Sequence, residues 1–183
     1  MADTRLYDPA VRIYLASPLA FADWKNPTTA ELNANPTNDP NGLIWNLTCA
    51  IDRADSTFDL DDAETDDSLS FCQVAGTTNP TSLNPNMVYS AFRSKTPWVV
   101  SNPATLNTAN LAFSLMAWRG VEYFAIVSVG ERYDETFAVG DRIKMARVGS
   151  VDPTDTIGSG EMVKITQNWR ALGDVAWNVR IAS

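Results

Sequence analysis

The chain has 183 residues, 45% of them hydrophobic and 20% charged, with a formal net charge of −8 at pH 7. That suffices for a single domain with a full core, residues 1–183, and excludes wholesale disorder. With no histidine and only two cysteines, histidine-based triads, imidazole metal ligands and a good zinc site are excluded too. The charge is uneven: residues 1–91 hold four Lys/Arg against thirteen Asp/Glu, and residues 92–183 hold ten against nine. An acidic first half argues against nucleic-acid binding, which uses a basic stripe to neutralise phosphates. Met1-Ala2-Asp3-Thr4-Arg5 leads into polar sequence without an apolar leader core, and no eighteen-residue apolar window occurs. The expectation is a protein made and kept in a cytoplasm, with no membrane partner.

Taken in order, Val11–Ala16 alternates with Val11, Ile13 and Leu15 on one side and Arg12 and Tyr14 on the other, predicting a half-buried strand. Residues 17–42 hold Pro18, Pro27, Pro36 and Pro40 among Asn, Thr and Asp, which rules against continuous strand. Within that loop Thr28 and Glu31 have capping-box spacing and predict a helical turn over Thr28–Asn33. From Leu43 to Asp52, Leu43, Trp45, Leu47, Cys49 and Ile51 fall on one face of a predicted strand. Cys49 and Cys72 each lie in a predicted strand and are expected as buried free thiols. An acidic loop over 53–68 follows, then strands at Leu69–Val74 and Met87–Arg93.

Thr105–Gly130 holds the strongest pattern. Thr108 is placed to cap a helix whose stripe is Ala109, Ala112, Phe113 and Met116, and Gly120 ends it. Val121–Val129 is then apolar on both alternating sets, so it belongs in the middle of the packing. Strands at Asp141–Val148, Glu161–Ala171 and Asp174–Ala182 complete a meander, with Leu172-Gly173 as a hairpin turn and Val175, Trp177, Val179 and Ile181 facing the core. The fold expected is α+β: two antiparallel β-sheets forming a sandwich or flattened barrel with one flanking helix. Most of the six tryptophans are assigned to the core, and Trp24 and Trp98, in loops, to contacts.

Chemistry is sparse. Asp52, Asp55, Asp59, Asp61, Asp62, Glu64, Asp66 and Asp67 crowd around one Arg53, yet without the glycine and spacing of an EF-hand loop. Calcium binding, a solvated acidic loop, and a surface that repels phosphate or meets a basic neighbour all remain open. Asp61, Asp62 and Glu64 lie among polar neighbours, so nothing in sequence raises a carboxyl pKa for glycoside hydrolysis. Neither a phosphate loop nor a Gly-x-Ser-x-Gly elbow occurs. The reading is a protein without cofactor or catalysis.

A series of short stretches carries a resemblance. They are Pro27-Thr28-Thr29-Ala30-Glu31-Leu32, Asp67-Ser68-Leu69-Ser70-Phe71-Cys72 and Tyr89-Ser90-Ala91-Phe92-Arg93, then Gly120-Val121-Glu122-Tyr123-Phe124, Val139-Gly140-Asp141-Arg142-Ile143 and Gly173-Asp174-Val175-Ala176. In this order the chain resembles the major tail proteins, or tail tube proteins, of long-tailed bacteriophages, especially those infecting actinobacteria. It departs from them in the acidity of its middle loop and in a reduced Arg/Gly run after the central strand, here Gly130-Glu131-Arg132-Tyr133.

The resemblance implies a noncatalytic virion protein. Its copies form stacked, typically hexameric rings around a tape-measure protein, meet terminator and baseplate proteins, and pass DNA without binding it specifically. Stacking candidates are Trp24, Pro27, Glu31 and Leu32 in the first loop, with Asp55 and Asp66 in the acidic one. Asp59, Asp61 and Glu64 are the candidates for an acidic lumen. On this reading residues 20–40 are dispensable for folding. The alternative is a β-rich decoration or adhesion module.

Overall fold

The computed structural model describes residues 11–36, 38–61, 65–66, 79–80, 84–93, 108–130, 135–156 and 163–183. The predicted strand Leu69–Val74, and with it Cys72, lies outside them, as do Glu64, Trp98 and the turn at 158–160.

Ten strands and two α-helices are described. β1 (Val11–Ala16), β2 (Ile44–Asn46), β7 (Glu122–Val129), β8 (Arg142–Ser150) and β10 (Lys164–Arg180) join β6 (Asn84–Phe92) and β3 (Thr57–Asp61) in an eight-stranded sheet ordered β2-β1-β7-β8-β10-β6-β3. β9 (Thr154–Thr156) also pairs with β10, and every strand pairing is antiparallel. β4 (Thr65–Asp66) and β5 (Asn79–Pro80) form a second ladder that keeps the register of β3 and β6. The expected pair of sheets is therefore corrected: the main strands make one sheet, which wraps around its own core.

The wrap comes from β10. Residues 164–169 pair with β6 and residues 169–180 with β8, so the predicted hairpin at Leu172-Gly173 is absent and one 17-residue strand serves both halves. The register slips between Ala171 and Val175, where Gly173 takes φ +146°, a conformation open to glycine. Leu172 lies over Gly149, where a Cβ would sit 3.1 Å from it. A second slip between Ala176 and Val179 reverses the pleat. Val175 therefore packs in one core while Val179 and Ile181 pack in the other, not on one face as the alternation predicts.

Two cores result. The inner one joins Leu15, Trp45, Tyr89, Tyr123, Val148 and Trp169 with α2 (Thr108–Met116), which buries Leu111, Ala112 and Met116. Thr108 is the first helical residue and not the cap, and Leu111, absent from the predicted stripe, is among the most buried side chains. Edge-to-face rings tie the wrapped halves together: Tyr123 meets Trp169 at 5.8 Å and Phe58 meets Trp177 at 5.4 Å. The segment after β2 closes one side, where Ile51 bridges Ala91 and the Phe92 amide donates to the Ala50 carbonyl at 2.9 Å.

The outer core covers the opposite face of the central strands with Tyr14, Leu32, Ile44, Phe124, Ile126, Phe137 and Met145. β7 is buried along its six middle residues, as its two apolar sets predict. β1 differs from its prediction, because both of its faces are covered and Arg12 is 0% exposed. Its guanidinium donates to the Glu135 carbonyl at 2.9 Å and the Ser128 hydroxyl at 3.2 Å, and stacks 4.1 Å from the Phe137 ring. β2 is shorter than predicted. Asn46 Oδ1 accepts from the Thr48 amide and hydroxyl, which turns the chain and leaves Cys49 exposed instead of buried, and Leu43, just before the strand, is exposed as well.

Candidate assembly surface

Residues 17–42 form the larger candidate segment, and asparagine chemistry explains how they fold. Asn33 pairs through its side-chain amide with both backbone groups of Phe137, at 2.9 Å each. Asn38 does the same to Asn46, at 2.6 and 2.7 Å, and Asn35 donates to the Ile44 carbonyl at 2.8 Å. Asn35 and Asn38 thus satisfy the outer edge of β2 as a neighbouring strand would, closing an edge otherwise open to pairing.

The predicted capping box exists. Glu31 Oε2 accepts from the Thr28 amide at 2.8 Å and hydroxyl at 2.9 Å, while Thr28 Oγ1 accepts from the Glu31 amide at 3.2 Å, and α1 (Thr29–Leu32) follows. Partial burial works against its charge, yet the donors at Ala22 and Thr28 together outweigh that and hold the Glu31 carboxyl below its ordinary pKa. Trp24 stacks on Phe124 at 5.5 Å and is partly exposed. Pro27 is buried, its carbonyl accepts from the Ala182 amide at 2.9 Å, and Thr28 bridges Ala182 in parallel.

Leu32 is 2% exposed within the outer core. This packing weighs against the expectation that residues 20–40 are dispensable for folding. Leu32, Phe21 and Trp24 are packed on the outer core, and without them Phe124 and Ile126 would meet water.

The acidic stretch is not one loop. Asp52 and Asp55 converge on Lys164, whose ammonium donates to both, at 2.8 Å for Asp55. That hydrogen bond holds the Asp52 carboxyl below its usual range, and the two carboxylates raise the Lys164 pKa. These two carboxylates are thus engaged by a lysine. Asp59 and Asp61 fall on β3, opposite Asn86 and Asn84, and Asp66 falls on β4 opposite Asn79. β3 is the last strand of the sheet order, and among the described residues nothing pairs with its outer edge. Glu64 is outside the described residues.

Exposure reveals what the sequence reading missed. Trp118, grouped with the core tryptophans, is 64% exposed beside an Arg119–Asp152 ion pair at 3.3 Å, and Leu19, Val139 and Val129 are exposed as well. The helical period could have placed Trp118 beyond the last buried turn at Met116, since Ala117 already leaves the helix. Among the described residues no helix is long and apolar enough to cross a membrane.

A family model described as Phage tail tube protein matches residues 1–183. The chain belongs to the phage tail tube protein family. No curated protein matches it. Membership makes this a structural protein of the virion tail, one of a set of copies that assemble into a tube. The resemblance drawn from short ordered stretches therefore holds at family level.

Proposed function

We propose that this chain is the subunit of stacked, hexameric rings that form the conduit for DNA ejection, folded as one tail tube domain and assembled in the cytoplasm of an actinobacterial host. The family match over residues 1–183 carries this reading. The outer edge of β3, unpaired among the described residues, supports it, because an unpaired strand edge can extend into the sheet of a neighbour and close a ring. The ring surrounds a tape-measure protein and meets terminator and baseplate proteins at its ends. Its role is structural and not catalytic, and it needs no cofactor.

Stacking uses the outward parts of the first loop, with Trp24 and Glu31 at its surface and Pro27 and Leu32 holding it in place, together with Asp55 and Asp66. Asp59, Asp61 and Glu64 face the lumen, where carboxylates repel phosphate and keep DNA moving. Changing these three to lysine slows ejection while tubes still form, and an unchanged ejection rate removes them from the lumen. The test of the whole reading is negative-stain microscopy of the purified protein. Rings or hollow tubes are expected, and a field of single particles at all concentrations overturns it.

A further inference from the structure

At the end of the sheet where β1 begins and β7 ends, the wrapped halves part and leave a groove of about 460 Å³. Val11, Ile13, Ile51, Phe58, Val127 and Val129 give it apolar wall, Thr48, Ser56 and Thr57 polar wall, and Arg53 and Lys144 positive charge, and its volume falls in the range of about 300–1,000 Å³ typical of occupied pockets. Tyr89, 1% exposed, also lines it, and its hydroxyl has no hydrogen-bond partner among the described residues. Buried hydroxyls are normally satisfied, and no described residue satisfies this one. Burial also raises its pKa, which keeps it a neutral donor and acceptor.

Lys144 has no ion pair among the described residues. Its ammonium rests 4.4 Å from the Trp177 ring. The groove therefore offers apolar walls, a hydroxyl at depth and a cation at the rim. A matching occupant brings an apolar side chain with a polar group and a carboxylate close by. The chain itself is rich in such segments: it carries 22 Asp and Glu against 14 Lys and Arg, and the excess lies entirely in its first half.

We propose that this groove receives an acidic segment from a second copy of the chain, an apolar side chain filling it, a polar group pairing with the Tyr89 hydroxyl and a carboxylate meeting Lys144. This rests on the self-assembly proposed above and assigns the surface through which one contact is made. Tyr89→Phe keeps the ring and removes the hydroxyl, Lys144→Glu reverses the rim charge, and Val129→Trp places bulk at an exposed rim position.

The measurement is the critical concentration for tube formation by sedimentation, with thermal unfolding of each unassembled variant as the folding control. Tyr89→Phe is expected to leave the unfolding temperature unchanged or higher while raising the critical concentration about tenfold. Lys144→Glu is expected to exceed that effect, most clearly at low salt, and Val129→Trp to block assembly. If the wild type polymerises and all three folded variants match it, the groove is not a docking site and the inference falls alone. If the wild type never associates, the self-assembly reading falls and takes the inference with it. Variants that polymerise normally yet lose binding to another tail protein reassign the groove and overturn docking by a second copy.

Discussion

The two ends of the same central strands are finished in opposite ways. Where the first loop crosses the sheet, two asparagine side chains stand in for a missing strand neighbour, a third ties the loop to Phe137 and a glutamate closes a capping box, with aromatic rings filling the space beneath. At the groove, no described residue covers the apolar walls or pairs with the Tyr89 hydroxyl, and Val129 is exposed. A polar loop that satisfies its own backbone keeps outward side chains, Trp24 and Glu31 among them, for a partner, whereas the groove leaves apolar wall uncovered among the described residues. The difference teaches that an irregular segment can be a lid on its own core as well as a contact surface. Residues 17–42 read as a contact loop because they lack periodicity, and much of that segment is a lid on its own core.

The comparison breaks most directly if the lid is removed. Deleting residues 20–40 exposes Phe124, Ile126 and Tyr14 and is expected to abolish cooperative unfolding, as followed by circular dichroism. A sharp thermal transition near that of the wild type would show the outer core to be independent of the lid. Point substitutions sharpen the contrast at smaller scale. Leu32→Ala removes a buried side chain beneath the lid and is expected to cost about 3 kcal/mol in urea unfolding. Val129→Ser at the groove rim is expected to stay within about 0.5 kcal/mol. Equal losses at both sites would erase the distinction between sealed and open surface.

The smallest effect concerns acid. The Lys164 ammonium, donating to Asp52, holds that carboxyl below its ordinary pKa, and the clip ties residues 52–55 to the start of β10 beside the groove wall. A carboxyl lowered in the folded state stabilises fully above its unfolded pKa, and the gain is lost as pH falls through the lowered value. Melting temperatures of the wild type and Lys164→Met are therefore expected to differ at pH 7 and converge below about pH 4. Curves that stay parallel down to pH 2 would show that the clip contributes nothing that acid can remove.

Local rules were enough for several features because neighbours in sequence decide them. The Thr28/Glu31 spacing specifies its helical turn, since both partners lie within one turn of backbone. The two apolar sets of β7 required a central position, since either face exposed would leave large apolar area in water. The acidic first half and the absence of histidine directed the reading away from nucleic-acid binding and imidazole chemistry, and the ordered short stretches pointed to the family.

What only the tertiary structure decided depends on partners distant in the chain. Leu172-Gly173 has the composition of a hairpin, yet becomes a bulge because β6 and β8 claim successive parts of one strand. Arg12 alternates like a surface residue, and is buried because Glu135, Ser128 and Phe137 arrive from more than a hundred residues away. The groove exists only because the sheet wraps, and no local pattern records where a curved sheet fails to meet itself. Periodicity encodes which side of a strand avoids water, whereas long-range pairing determines what stands on that side.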